Sequence, residues 1–323
     1  MNLSFYLIIF IVSCFFLSLS GKILVDASTR VSRFLRLKEF VVAFFIMSIA
    51  ASMPEIFIGV SSALRKIPEL SFGNILGANV VHFTLAIAIA VIILKGMEVK
   101  SRLIQATSLF TALVAILPIL LIMDGVLSRA DGLALIFSYI FYLIWLFSKK
   151  DLCTKIYDGK EEIVSPNKKL KTFFKDLVLI FGGTITLIFS VQGVVSSSYF
   201  FSEFLKIPLG LVGIIFLGIG TALPEIYFSI ASAKKGERWL ILGDLMGCTA
   251  FTASFVLGLV ALIQPIQIFD FSPFVIARFF LVISVVFFII FLRTGQKISR
   301  KEAAFLLILY LFFIASEIIN RLF

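Results

Sequence analysis

Charge is scarce in this chain, and so are cysteine and histidine. Only 15% of the 323 residues are charged, and the chain holds three cysteines and one histidine. Three scattered cysteines are too few for a disulfide framework, and a lone histidine without a suitably spaced partner does not make a zinc site. The sequence also shows no phosphate-binding loop and no motif for a catalytic nucleophile. We therefore expect neither an enzyme nor a bound cofactor.

Hydrophobic residues fill most of the chain. They make up 60% of it, with 38 phenylalanines, and the mean hydropathy is +1.11. A soluble domain does not hide so much apolar surface, whereas runs of about 20 apolar residues cross a hydrocarbon layer of roughly 30 Å. We predict an all-α polytopic protein of the lipid bilayer with about ten transmembrane helices. The predicted spans lie near residues 3–20, 40–63, 70–94, 103–123, 130–148, 173–200, 207–233, 239–263, 273–292 and 303–320.

The basic residues indicate how the chain is oriented. Of the 29 Lys and Arg residues, 22 fall in the loops after the first, third, fifth, seventh and ninth predicted spans, and Lys175 directly follows the third of these loops. Because cytoplasmic loops are enriched in Lys and Arg, we predict that these loops face the cytoplasm and that both termini lie outside, in the plasma membrane. Membrane orientation thus accounts for the net charge of +10, and we expect no nucleic-acid partner.

The chain repeats itself at an offset of 170 residues. Between 32–90 and 202–260, thirteen positions are then identical without a gap. A lysine-rich loop, 149–172, separates a first repeat, 1–148, from a second repeat, 173–323. The first repeat starts outside and the second starts in the cytoplasm, so the repeats have inverted topology. Inverted repeats with interrupted helices are typical of secondary transporters.

A Pro-Glu pair stands at matching positions of the two repeats, in SIAASMPEIFIGVSSALRK (Pro54 and Glu55) and in GIGTALPEIYFSIASAKK (Pro224 and Glu225). Proline interrupts the helical hydrogen bonds, and freed carbonyls at bilayer depth are tolerated where protein or a cavity satisfies them. A buried carboxylate beside each break suits a hard cation. The alternative is a protonated, hydrogen-bonded glutamate beside an ordinary helix kink.

A second shared pattern follows, Gly-(Asn/Asp)-x-x-Gly. Glycines four residues apart let helices approach closely, so helix packing alone can explain them. The polar residue beside each close contact is predicted to support the broken helices or to lie near the ion. These residues are Gly73, Asn74 and Gly77 in the first repeat, and Gly243, Asp244 and Gly247 in the second.

On these residues the chain resembles the cation/calcium exchanger superfamily as a divergent member. The family motif reads G-T-S-x-P-E, then G-N-x-x-G-S-N-x-x-N/D. The first repeat has S-I-A-A-S-M-P-E and G-N-I-L-G-A-N-V-V-H, and the second has G-I-G-T-A-L-P-E and G-D-L-M-G-C-T-A-F-T. The resemblance implies a secondary active antiporter that exchanges Ca²⁺ against Na⁺ or H⁺ by alternating access.

The resemblance also implies a ligand set. Glu55 and Glu225 are the shared cation ligands, and the other two corners fall on His82 and Thr252, neither of which is the family residue. The supporting ligands carried over by position are Ser52, Asn79 and Thr221. Ala51, Ala222, Ala78, Cys248 and Thr249 replace polar residues of the family pattern. Fewer oxygen ligands mean weaker or fewer cation sites, so the resemblance does not carry over a three-sodium stoichiometry.

Two alternatives stay open at this point. The depleted motif also fits a non-transporting sensor or assembly protein on an exchanger scaffold. A proton-coupled exchanger of another cation fits the same residues.

Overall fold

The computed structural model describes residues 3–34, 45, 47–99, 102–148 and 166–322. Its α-helices are α1 (Leu3–Phe34), α2 (Ser48–Ala51), α3 (Met53–Leu64), α4 (Glu69–Val81), α5 (Ile87–Ile93), α6 (Arg102–Leu121), α7 (Arg129–Ser148), α8 (Pro166–Leu205), α9 (Leu209–Val212), α10 (Gly218–Thr221), α11 (Leu223–Lys235), α12 (Arg238–Ala250), α13 (Leu257–Ile263), α14 (Val275–Arg293) and α15 (Arg300–Leu322). Three π-helical segments join neighbouring helices, at His82–Ala86, Gly213–Leu217 and Phe251–Val256. Two 3₁₀ turns lie at Ile122–Asp124 and Ser272–Phe274.

Nine helical stretches among the described residues are long and apolar enough to cross a membrane. They agree with nine of the ten predicted spans. The remaining prediction, 40–63, begins in residues outside the described ranges and continues through α2 and the shorter apolar helix Met53–Leu64. The chain is therefore the polytopic α-helical membrane protein that the hydropathy predicts.

Burial separates central helices from peripheral ones. The stretches 69–93 and 238–263 are mostly buried, whereas most of Leu3–Ser28 is not. Large apolar side chains on the outer helices are exposed, including Phe189 at 75% and Phe181 at 71%. Exposed phenylalanines at bilayer depth face lipid, so the central stretches form the inside of the bundle.

Four two-residue strands, which the sequence did not predict, connect the repeats at their ends. They are β1 (Met97–Glu98), β2 (Val126–Leu127), β3 (Ile266–Gln267) and β4 (Lys297–Ile298). Strand β1 pairs antiparallel with β4, and β2 pairs antiparallel with β3. At the offset of 170, β1 corresponds to β3 and β2 to β4, within one residue. The two ladders are thus related by the same symmetry as the repeats.

Two helices extend beyond their predicted spans. Helix α1 continues to Phe34, and α8 begins at Pro166, inside the stretch predicted as a loop. Residues 149–165 of that loop lie outside the described residues. Arg30, in the extension of α1, contacts α8, since Arg30 Nε donates to Asp176 Oδ1 at 2.8 Å. This ion pair joins the extension of α1 to the first turn of the sixth predicted span.

Candidate functional site

Both Pro-Glu pairs lie directly after a helix break. Helix α2 ends before Ser52 (φ −80°, ψ 10°), and α10 ends before Ala222 (φ −79°, ψ −2°). Helices α3 and α11 start at the next residue, with Pro54 and Pro224 in their first turns. Proline is accepted there because the first turn has no intrahelical use for its missing N–H. The breaks stand 170 residues apart, as the sequence register predicts.

The two glutamates occupy the first turns of α3 and α11. Glu55 and Glu225 are both fully buried, and none of their carboxylate oxygens has a hydrogen-bond partner among the described residues. The Glu225 carboxylate lies within electrostatic range of those of Glu55 and Asp244. A helix N-terminus favours negative charge, so each break helps to hold its carboxylate. The breaks therefore bring three acidic side chains into one buried region.

The polar residues of the Gly-(Asn/Asp)-x-x-Gly pattern contact the opposite repeat. Thr221 Oγ1 donates to Asn74 Oδ1 at 3.1 Å, and Ser48 Oγ donates to the backbone oxygen of Asp244 at 3.3 Å. Cys248 Sγ lies 3.5 Å from the backbone oxygen of Ser48 and 3.7 Å from Asp244 Oδ1, and its single S–H donates to one of these oxygens at a time. Asn74 and Asp244 thus each support the short helix that precedes the other repeat's break.

The two remaining motif corners bind across the repeats. His82 Nδ1 lies 3.3 Å from Thr249 Oγ1, and Thr252 Oγ1 donates to Asn79 Oδ1 at 3.4 Å. All four side chains are buried, and His82 Nε2 has no hydrogen-bond partner in the described part of the chain. We call these four residues, Asn79, His82, Thr249 and Thr252, the crosspiece. They join α4 and the π segment that follows it to α12 and the π segment that follows it.

Glycines allow the close approach in the first repeat. A Cβ added to Gly73 would overlap the backbone carbonyl of Gly210, and one added to Gly77 would overlap that of Ile214. Gly243 and Gly247 are buried in α12. The glycine pattern of the first repeat therefore serves helix packing.

The first helix crosses both breaks, which sequence reasoning missed. A Cβ added to Gly21 would lie 2.7 Å from Pro224 Cγ and 3.7 Å from Pro54 Cγ. No motif marks Gly21 in the sequence. The contact arises because α1 packs across the place where the two inverted repeats meet.

Sequence reasoning also gave no role to Ser48 and assigned Cys248 and Thr249 only as losses from the family pattern. The offset itself carried a signal for Thr249, since it is the counterpart of Asn79 and faces His82, which lies three residues after Asn79 at the start of the π segment. The Cys248 thiol lies beside the Glu225 carboxylate and within electrostatic range of Glu55. A sulfur atom therefore takes part in the acidic region.

The chemistry of this region suits a hard cation whose ligands are mainly oxygens. In the described ranges, no group of three or more His, Cys, Asp or Glu side chains is placed to hold a metal ion. Thr221 lies beside the Glu55 carboxylate, and the Ser52 hydroxyl has no partner among the described residues. Two carboxylates with hydroxyl and backbone oxygens match the ligands that Na⁺ and Ca²⁺ take, rather than a Cys/His metal site.

Comparisons with known proteins agree with this arrangement. The sequence profile of the family described as "Sodium/calcium exchanger protein" matches residues 5–148 and 175–318. Inner membrane protein YrbG of Escherichia coli (strain K12) is 25% identical over 286 residues, which cover 86% of this chain and 86% of YrbG. Sodium/calcium exchanger MaX1 of Methanosarcina acetivorans is 22% identical, over 95% of this chain and 97% of MaX1.

Solved structures show the same fold. Crystals of the sodium-calcium exchanger NCX_Mj soaked with Na⁺ and Sr²⁺ superpose with a TM-score of 0.69 at 23% identity. The superposition covers 98% of this chain and 99% of NCX_Mj. The chain therefore has the same overall fold as NCX_Mj.

Proposed function

The chain belongs to the sodium/calcium exchanger family, and from that premise we propose that it exchanges Ca²⁺ against Na⁺ or H⁺ by alternating access. It is a membrane antiporter of cations and not an enzyme. One observation carries the proposal of Ca²⁺ exchange. The carboxylates of Glu55 and Glu225 are buried at symmetry-related helix breaks, and they have no hydrogen-bond partner among the described residues. A bare carboxylate at bilayer depth costs at least about 2–3 kcal/mol, which a bound cation or proton offsets.

Coupling follows from competition for these carboxylates. Either one Ca²⁺ or the coupling ions, Na⁺ or H⁺, can neutralise Glu55 and Glu225. Ca²⁺ and the coupling ions cannot do so at the same time. Ser52 and Thr221 are the proposed hydroxyl ligands. The Ser52 hydroxyl has no partner among the described residues, and Thr221 lies beside Glu55.

Three further proposed ligands belong to the crosspiece. Asn79, His82 and Thr252 each contact the other repeat, but His82 Nε2 has no partner among the described residues, and the Asn79 and Thr252 oxygens each keep a lone pair for a cation. An uncharged ligand atom attracts a cation less strongly than a carboxylate does. We infer that their contribution to cation binding is smaller than that of the two carboxylates.

Flux measurements test the proposal. Purified protein is reconstituted into vesicles, and calcium, sodium and proton gradients are imposed one at a time while ⁴⁵Ca²⁺ uptake is followed. We expect ⁴⁵Ca²⁺ to enter the vesicles when Na⁺ or H⁺ is more concentrated inside than outside. We expect no uptake when neither gradient is imposed. Uptake driven by one gradient alone identifies the coupling ion. No uptake under any gradient contradicts the proposal and supports the non-transporting alternative.

A further inference from the structure

Helices α1 and α8 run side by side under the same symmetry as the repeats. At one end Arg30 pairs with Asp176 at 2.8 Å, and the Asp176 side chain is only 3% exposed. Shifting both positions by 170 gives Phe200 and Tyr6, and these rings stack with centroids 4.1 Å apart at the other end. The offset therefore predicts which residues of α1 and α8 take equivalent places.

At the Tyr6–Phe200 end, an arginine joins the broken helix α3 to α8. Arg65 Nη1 donates to Ser196 Oγ at 2.8 Å, and Arg65 Nη2 donates to Gln192 Oε1. Gln192 Nε2 donates in turn to Ser61 Oγ at 3.4 Å. This Arg65 contact lies at the end that the charge distribution predicts to be extracytoplasmic.

The equivalent positions at the other end carry complementary charges. Arg65 corresponds to Lys235 at the end of α11, Ser196 to Asp26 and Gln192 to Lys22 on α1. Among the described residues, Lys235 and Asp26 do not form an ion pair, and Lys22 Nζ instead lies 4.2 Å from the ring centroid of Tyr227. The Arg65 contact is thus formed at one end. At the other end the equivalent residues Lys235 and Asp26, both among the described residues, carry opposite charges but do not form an ion pair.

We propose that Lys235 and Asp26 are gating residues, whose ion pair closes the cytoplasmic end when the Arg65 contact opens. In inverted-repeat transporters the repeats exchange conformations, so a contact present in one repeat is expected in the other repeat in the opposite state. Opposite charges at symmetry-related positions provide that contact. Exposed ion pairs are weak, so both contacts can form and break in every cycle. The proposal rests on alternating access as proposed above.

Chemical crosslinking tests this gate. One cysteine pair replaces the Arg65 contact (Arg65→Cys with Ser196→Cys), and a second replaces its counterpart (Lys235→Cys with Asp26→Cys). In the background Cys14, Cys153 and Cys248 are serines, so that the thiol reagent meets only the introduced cysteines. A bifunctional thiol reagent with the reach of an arginine side chain is added. A protease site in the 149–165 loop separates the halves unless a crosslink holds them together on a denaturing gel.

The crosslink yields decide the outcome. We expect the two yields to change in opposite directions when Na⁺ or Ca²⁺ is varied on one side, and a protein with all four cysteines to form one crosslink or the other. Each crosslink is expected to abolish exchange, and cleavage of the reagent to restore it. Yields that rise and fall together, or a 26/235 pair that never crosslinks while the 65/196 pair does, overturn the proposal.

Charge variants supply a second measurement. Lys235→Asp places like charges beside Asp26, and we expect a loss of exchange that Lys235→Asp with Asp26→Lys restores. A double variant as inactive as the single one contradicts the ion pair. The crosslinks are read on a gel and not by ion flux. Crosslink yields that change in opposite directions, in a protein that shows no flux, therefore support the gate and contradict the antiport proposal.

Discussion

Thr252 Oγ1 donates a hydrogen bond of 3.4 Å to Asn79 Oδ1 in the other repeat. Thr252 lies in the π segment after α12, and Asn79 lies on α4. The contact between His82 and Thr249, at 3.3 Å, is its counterpart when both positions are shifted by 170. The two contacts thus share one geometry with different chemical groups. Polar side chains therefore pair the two repeats at positions where the resemblance implies oxygen ligands.

The crosspiece is expected to stabilise the bundle. His82→Ala leaves the buried Thr249 hydroxyl without this partner, which costs about 1–3 kcal/mol, whereas the amide of His82→Asn can replace the imidazole. We expect a lower thermal unfolding temperature in detergent for His82→Ala and a value close to wild type for His82→Asn. If Thr249→Val removes as much stability in the His82→Ala background as in wild type, the two side chains are not coupled.

Glycine packing gives a matched pair of variants. Gly73→Ala forces a methyl group onto the backbone of Gly210, while a Cβ at Gly182 meets no atom within 4 Å. Overpacking costs about 1–3 kcal/mol, and alanine favours a helix by about 1 kcal/mol over glycine. We expect Gly73→Ala to lower the thermal unfolding temperature and Gly182→Ala to keep or raise it. Equal behaviour of the two variants contradicts the close approach of α4 and α9.

The sequence predicted the span pattern and the breaks well, because hydropathy and proline act locally. Pro54 and Pro224 each mark a break that the structure places at the residue before the new helix. The repeat register also relates the contact between Tyr6 and Phe200 to that between Arg30 and Asp176, once the structure has shown one of the two. These features follow from chain length, backbone chemistry and symmetry, which a single sequence contains.

Side-chain contacts between the repeats could not be predicted in the same way. The partners of Arg65 lie more than 120 residues away, and those of Cys248 depend on how α12 packs against α2. The π segments were missed because their shifted backbone hydrogen bonds leave no clear mark in the apolar pattern. The roles of His82 and Thr252 as cation ligands stay predictions, since each side chain has a protein contact here.

Labelling from outside tests the orientation. We expect Lys160→Cys, in the basic loop, to be unreactive towards an impermeant thiol reagent in intact cells, on a background without other reactive cysteines. Lys206→Cys lies in the exposed turn between α8 and α9, predicted to be extracytoplasmic, and is expected to react. The physical reason is the excess of Lys and Arg in cytoplasmic loops. Labelling at position 160 but not at 206 reverses the predicted topology.

Cys248 provides a reporter within the acidic region. Its thiol is buried in this conformation and lies beside Glu225, so a thiol reagent reaches it only when the cavity opens. With Cys14 and Cys153 replaced by serine, we expect a small methanethiosulfonate to abolish exchange, and Ca²⁺ to slow the loss. Adding Cys248→Ser is expected to make exchange resistant. Inhibition that persists in this variant places the reactive group elsewhere.

The carboxylates give the most direct prediction. Glu55→Gln and Glu225→Gln each keep the side-chain volume and the capacity for hydrogen bonds, but remove one of the two charges that the proposed site offers a cation. A dehydrated Ca²⁺ is attracted to its ligands by charge, and an amide does not replace a carboxylate in this respect. We therefore expect both variants to insert and fold like wild type while ⁴⁵Ca²⁺ exchange in vesicles is lost. Glu203→Gln, at an exposed position near the end of α8, is the control and is expected to exchange normally. Wild-type flux in either buried variant, with Glu203→Gln also unchanged, shows that the cation is bound by other residues.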